Sequence, residues 1–195
     1  MGGTSHYVLQ EKYLTELLDN ISFNCFLNFG VSYGYVDSLL AKRYVDKHFL
    51  GIDRSELTKW YNEKWFSRLK NLEFAAGDIF EFLEDKNFDE GVFFHARTLT
   101  FLSRNFIEKL YKIVAKAKFR YIVGMEPIGI SRQTYKAYEF SDEDQPSVLY
   151  RGSMFIHNYP ALLKNAGFSL SSIEAIKNIY HHHEDAYILR FTAHR

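Results

Sequence analysis

The spacing of hydrophobic residues changes period repeatedly along the chain. Residues 7–20 set Tyr7, Leu9, Tyr13, Leu14, Leu17 and Leu18 at helical intervals and predict a leading helix. Cys25-Phe26-Leu27 opens a strand over 25–29, and Val36, Leu39 and Leu40 then share one face of a helix over 33–45. His48 to Ile52 reads as a second strand that stops at Asp53, and Ser55 is placed to cap a helix running to about Lys70. Leu72 to Ala76 is a third strand, stopped by Gly77-Asp78, and a short helix follows from Ile79 to Leu83. Phe88 to Phe94 is a fourth strand. Ser103 then caps an amphipathic helix with Phe106, Ile107, Leu110, Tyr111 and Val114 inward, and Phe119 to Met125 is a fifth strand ending at Glu126-Pro127. Five strands alternating with helices imply parallel pairing through right-handed crossovers, with helices on both faces. The continuous apolar runs suit strands buried on both sides.

The alternation breaks at Pro127. Residues 127–156 are polar and turn-rich, carrying Asp142-Glu143-Asp144 and Pro146, and read as an insertion on the side where an acceptor would sit. Tyr159 to Ala166 predicts a short helix stopped by Gly167. Residues 168–179 and 186–192 are strand-like and are joined through His181-His182-His183, so the sheet closes with a hairpin-like pair. The expectation is an α/β fold with a doubly wound, mostly parallel seven-stranded sheet and a C-terminal antiparallel hairpin. With no repeat and no linker, residues 1–195 read as a single domain.

Composition narrows the partners. The chain has 195 residues, 47% of them hydrophobic, which supports one sizeable core. Lys+Arg and Asp+Glu are both 24, so no whole-chain electrostatic footprint points to nucleic acid or an anionic membrane. A small-molecule partner is favoured. The single cysteine, Cys25, lies in an apolar strand, permits no intrachain disulfide and fits a reducing cytoplasm. The N-terminus lacks a basic segment followed by an apolar core, and no run of 18 apolar residues exists to span a membrane. Met1-Gly2 does not complete a myristoylation site, because His6 stands where that signal needs Ser or Thr.

The candidate chemistry begins at Asn28 to Gly34, where a strand breaks into small residues and runs into a helix N-terminus. Such a turn lets a nucleotide-like ligand approach the backbone. Asp53, at the end of the second strand, offers a carboxylate to both hydroxyls of a ribose, with helix capping as its alternative role. Gly77-Asp78-Ile79 repeats the arrangement at the third strand, where Asp78 would otherwise cap the short helix. A dinucleotide fingerprint fails, since Ser32 and Tyr35 stand at the third and sixth places counted from Gly30. The Gly-Lys-Ser/Thr of a P-loop is absent.

This order of parts resembles the class I S-adenosylmethionine-dependent methyltransferases over essentially the whole chain. Asn28, Gly30, Ser32 and Gly34 occupy the places of that family's first motif, an acid followed by alternate glycines. Asn28 replaces the acid and Ser32 the middle glycine. The resemblance implies S-adenosylmethionine as cofactor, its amino-acid part lying against this turn and its ribose on Asp53. Gly77-Asp78-Ile79 would be the adenine-binding stretch, with Asp78 accepting from the adenine amino group and Ile79 and Arg54 covering the ring. The reaction would lie at the ends of the fourth and fifth strands. His95 directly follows an apolar strand and would stand close to the cofactor. His95 and His157 are candidate general bases, each with a structural role as its alternative. Glu126 would hold an acceptor hydroxyl or fix its loop. Arg97 would hold an anionic acceptor group or form an ion pair, and Arg151 joins the acceptor side.

Other chemistries fit less well. Consecutive histidines on an extended segment point to opposite sides, so His181-His182-His183 reads as a solvated turn, as does the acidic run at 142–144. The Asp-Asn pair of metal-dependent catechol-type relatives is missing, so no metal is expected. The Asn-Pro-Pro-Tyr motif of amino- and DNA-methylating relatives is replaced by His95-Ala96-Arg97-Thr98. Glu126-Pro127 and His157-Asn158-Tyr159 are loosely similar to bacterial sugar O-methyltransferase-like proteins. The expected activity is methyl transfer to a small polar acceptor, through oxygen. The alternatives are a small-molecule N-methyltransferase and a binding or scaffold protein of the same fold without catalysis. The short acceptor-side segment leaves room for a homodimer.

Overall fold

Strand and helix alternate as the apolar periods require in the computed structural model, which describes residues 4–129, 137–140, 147–150, 154–177 and 187–195. The sequence expectations for Arg151, for the acidic run at 142–144 and for His181-His182-His183 lie outside the described residues. The chain divides into two compact units, residues 1–94 with 117–120, and residues 95–116 with 121–195.

The first unit opens with helix α1 (Thr4–Leu18) and strand β1 (Cys25–Phe29), followed by α2 (Tyr35–Arg43) and β2 (His48–Asp53). Helix α3 (Glu56–Phe66), β3 (Leu72–Ala76), α4 (Ile79–Leu83) and most of β4 (Gly91–Ala96) complete it. β1 runs parallel to β2 from Cys25 opposite His48 to Phe29 opposite Ile52, and β2 runs parallel to β3 from Phe49 opposite Leu72 to Asp53 opposite Ala76. The three strands therefore finish on one edge. Phe26, Leu27, Phe49, Ile52, Val92, Phe93 and Phe94 are buried, and the Phe26 ring lies 5.5 Å from those of both Phe49 and Phe94. Ser55 caps α3 as expected, and Asp78 takes up the capping role that was its alternative reading. Thr58 N donates to Ser55 Oγ at 3.3 Å, and Phe80 N to Asp78 Oδ1 at 2.7 Å. β4 starts at Gly91 rather than Phe88. The cause is a turn in which Glu90 has φ 59° and Gly91 N donates to Phe88 O at 2.6 Å, while Phe88 N is taken by Ala117 O.

The second unit contains the end of β4, a 3-10 turn at Leu99–Phe101, α5 (Arg104–Lys116) and β5 (Phe119–Pro127). A small hairpin of β6 (Val148–Tyr150) and β7 (Met154–Ile156) follows, then α6 (Tyr159–Asn165), β8 (Ser169–Lys177) and β9 (Tyr187–His194). Ile107, Leu110, Tyr111 and Val114 of α5 are buried as expected, while Phe106 is half-buried. Phe106 instead gives its backbone N–H to Ser103 Oγ at the helix start. β9 lies antiparallel between β5 and β8, with Tyr121 opposite His194 and Pro127 opposite Ile188 on one side. Gly124 admits the Phe191 ring so closely that any Cβ there would overlap it. The complete strand order is β3-β2-β1-β4-β5-β9-β8. Among the described residues no helix is long and apolar enough to cross a membrane.

Candidate functional site

The first unit gathers its polar groups around the turn after β1. Gly30, Ser32 and Gly34 all have positive φ, at 78°, 51° and 56°. Gly34 has no room for a side chain, since a Cβ would meet the Phe74 ring at 2.8 Å. Ser32 has no such exemption, and a non-glycine residue in the left-handed region persists only where its surroundings hold it. They do so here. Asn62, fully buried on α3, donates Nδ2 to Ser32 O at 2.8 Å, while Ser32 N donates to Asp53 Oδ2 at 3.3 Å. Gly30 N and Val31 N donate to Ile52 O at 2.8 and 3.2 Å, extending the strand pairing into the turn.

The predicted nucleotide-side residues fall on this edge. Asp53, partly exposed at the end of β2, also accepts from Ser55 N at 3.1 Å, so its carboxylate joins the turn to the start of α3. Gly77 has φ 130° and open space where a Cβ would project, and its N–H donates to Asp53 O at 3.0 Å. Asp78 is exposed and caps α4 through one oxygen. Arg54 is exposed, whereas Ile79 is 2% exposed and belongs to the core.

Asn28 is buried, and its Nδ2 donates to Asp37 Oδ2 at 2.8 Å. Asp37 was not singled out from sequence, because an aspartate in a first helical turn reads as an ordinary dipole partner. It is in fact almost completely buried, and its Oδ1 accepts no hydrogen bond. Burial pushes its carboxyl up to about 7, against the opposing bond from Asn28. Asn62 Oδ1 is likewise buried and unpartnered. Two acceptors thus lie beside one turn with no hydrogen-bond donor among the described residues.

The second unit holds a different cluster. Glu126, at the end of β5, is fully buried and accepts four hydrogen bonds. Its Oε1 takes His95 Nδ1 at 2.8 Å, Thr98 N at 3.2 Å and Leu99 N at 3.1 Å, and its Oε2 takes Thr100 N at 3.3 Å. The carboxylate therefore fixes the loop after β4, the second of the two roles open to it. His95 is fully buried, with Nε2 3.0 Å from Tyr111 Oη. Burial and the Glu126 charge hold the Tyr111 and Tyr159 hydroxyls well above their ordinary range, so both stay protonated. Arg97 is exposed at the strand end with φ 55°, its N–H bound to Met125 O at 3.0 Å.

His157 is 1% exposed. Its Nε2 lies 3.1 Å from Leu99 O, which can only accept, so the ring proton is on Nε2. Nδ1 then accepts from Ser147 Oγ at 2.6 Å. Burial lowers the His157 pKa below its ordinary value, partly opposed by the Leu99 carbonyl, so the ring is neutral at pH 7. Ser147 was not picked out from sequence, since nothing in the linear pattern distinguishes its hydroxyl from others, and Tyr111 was placed only on the inward face of its helix.

Glu126→Ala would leave three amides and a histidine without their acceptor in the interior. It should lower stability by roughly 3–5 kcal/mol, read by urea unfolding. Asp37 gives a pH signature. Its folded carboxyl holds a proton up to about pH 7, against an ordinary value of 3.8. Its contribution to stability is complete below the ordinary value and is lost as pH rises through about 7. Asp37→Asn should flatten the fall in stability across that window, by up to roughly 4 kcal/mol, when unfolding is measured at a series of pH values.

No family model matches the sequence, and no curated protein matches it in sequence. Solved structures match the fold. A putative sarcosine dimethylglycine methyltransferase from Galdieria sulphuraria aligns with a TM-score of 0.72 at 10% identity, over 96% of this chain and 85% of that one. Magnesium protoporphyrin IX methyltransferase from Synechocystis PCC 6803, solved with S-adenosylmethionine bound, aligns with a TM-score of 0.67 at 14% identity, over 100% of this chain and 80% of the other. The cyclase SpnF aligns with a TM-score of 0.70 at 12% identity, over 96% and 80%. At these identities the likeness is one of fold, and the fold of this chain is that of the class I S-adenosylmethionine-dependent methyltransferases.

Proposed function

We propose that the chain is an S-adenosylmethionine-dependent methyltransferase that moves a methyl group to a hydroxyl of a small polar acceptor. In this reading residues 1–195 work as one domain, with 127–156 on the acceptor side. The observation that carries it is the edge of the first unit. Asn28, Asp53 and Asp78 stand at three successive parallel strand ends, beside a turn whose φ angles are positive at Gly30, Ser32 and Gly34. These residues suit the cofactor, because the turn presents backbone in place of side chains and two buried oxygens beside it lack donors. The turn and Asn28 would hold the amino-acid end, Asp53 the ribose hydroxyls, and Gly77 and Asp78 the adenine amino group. Arg54 would cover the ring, with Ile79 supporting that wall from the core. When bound, the cofactor supplies a methyl group activated by a sulfonium.

The chain's own task is then alignment and proton removal. His157 is neutral, and its Nδ1 lone pair accepts from Ser147 Oγ. A hydroxyl acceptor bound at Ser147 can pass its proton through that oxygen to Nδ1. This relay favours oxygen over an amine acceptor, which needs no base when it is already neutral. His95 and Glu126 act by holding residues 97–100 in place. The exposed, conformationally fixed Arg97 is suited to an anionic group on the acceptor, with Arg151 assigned to the same side.

Isothermal titration with S-adenosylmethionine tests the cofactor reading: wild type should bind, and silence at millimolar cofactor would sink it. Asp53→Ala should weaken binding at least about tenfold, and an unchanged affinity would show that the ribose lies elsewhere. The relay is tested with an acceptor found by screening hydroxylated metabolites against methyl-labelled cofactor. Ser147→Ala and His157→Gln should each lower kcat by about a hundredfold while cofactor affinity holds within about twofold.

A further inference from the structure

We propose that Asp37 is a positioning residue that sets Asn28 to receive the cationic amino-acid end of S-adenosylmethionine; the assignment rests on the cofactor reading above. Asn28 stands one residue before the end of β1, and Asp37 lies in the first turn of α2, immediately beyond the glycine turn. Both are buried, at 7% and 1% exposure, and they meet through a single 2.8 Å bond. The Asn28 amide turns Nδ2 inward to Asp37 Oδ2, which directs Oδ1 the other way. That Oδ1 engages no group among the described residues, and it is not one of the buried oxygens lacking a partner.

The strand end therefore presents a neutral carbonyl backed by an anion one hydrogen bond behind it. Such a pair suits a ligand ammonium, which brings N–H donors and a positive charge together. A neutral ligand would leave the anion uncompensated, and burying an uncompensated charge is costly. The open Oδ1 of Asp37 is consistent with a site completed by its ligand. Asn28 and the backbone amide of Asp37 itself are the groups that act on the carboxylate, and no other titratable side chain does. Its carboxyl titrates near neutrality when unliganded, so arrival of a cation should expel a proton from the protonated fraction.

Isothermal titration of wild type, Asp37→Asn and the exchanged pair Asn28→Asp/Asp37→Asn tests this with three probes. They are S-adenosylmethionine, S-adenosylhomocysteine and 5′-methylthioadenosine, the last of which lacks the amino-acid end. Asp37→Asn should weaken the first two about tenfold and leave the third within about twofold, because only the first two carry an ammonium. The exchanged pair, which places the carboxylate at the strand end itself, should regain most of the loss. In buffers of differing ionisation heat at pH 7, wild type should release a fraction of a proton on binding S-adenosylmethionine, and Asp37→Asn none. Unchanged affinity for S-adenosylmethionine in Asp37→Asn overturns the assignment. So does an equal loss for 5′-methylthioadenosine, which marks general damage, or proton release equal to wild type. Wild type that binds none of the three probes overturns the cofactor reading and this assignment with it.

Discussion

In-register parallel pairing of β1, β2 and β3 is the constraint on which the first unit's chemistry depends. Parallel strands end at the same edge, so residues far apart in sequence, Asn28, Asp53 and Asp78, are delivered to neighbouring positions. The pairing continues one step further, because Ile52 O accepts from both Gly30 and Val31. The turn is thereby tied to the sheet, and its three positive φ angles follow from leaving the strand so abruptly. Hydrophobic burial of Phe26, Phe49 and Phe94 supplies the driving force, but the hydrogen bonds decide where the backbone ends up.

Each unit holds a strained strand end with a polar side chain drawn from elsewhere in the sequence. Asn62 and Asp53 do this for Ser32, one bonding its carbonyl and the other its N–H. Glu126 does it for the loop carrying Arg97, by accepting from three successive amides. A buried carboxylate is expensive unless both oxygens are hydrogen-bonded, and Glu126 accepts three bonds at Oε1 and one at Oε2. The result is a rigid support whose members do not face solvent. His95, tied to the same carboxylate, has both ring nitrogens engaged, whereas His157 Nδ1 faces a side-chain hydroxyl.

The sheet was legible because continuous apolar runs and helical spacing leave little ambiguity over 125 residues. Ser55, Asp78 and Ser103 were legible as caps because capping depends on local order alone. The start of β4 was misplaced by three residues, since a tertiary bond from Phe88 N to Ala117 O overrides an apolar run. The β6–β7 hairpin was not foreseen either, because two three-residue strands carry no usable period. In the site, Asp37, Asn62 and Ser147 were not singled out. Their significance comes from burial and from partners distant in sequence, and neither is encoded in spacing.

Asn28 shows how far a departure from a pattern can be judged one residue at a time. Read alone, an amide in place of an acid removes a charge from the turn. In the folded chain a carboxyl group lies one hydrogen bond away, on Asp37, and accepts from the Asn28 amide. The fold brings the first residue of the turn and the first turn of the following helix together, so a carboxylate on either can impose its charge on the same place. Which of the two carries it alters the chemistry. Buried on α2, it is held near neutrality, so ionisation becomes coupled to whatever cation arrives. The amide at position 28 therefore does not by itself argue for a decayed site, because the carboxyl group of Asp37 stands one hydrogen bond behind it.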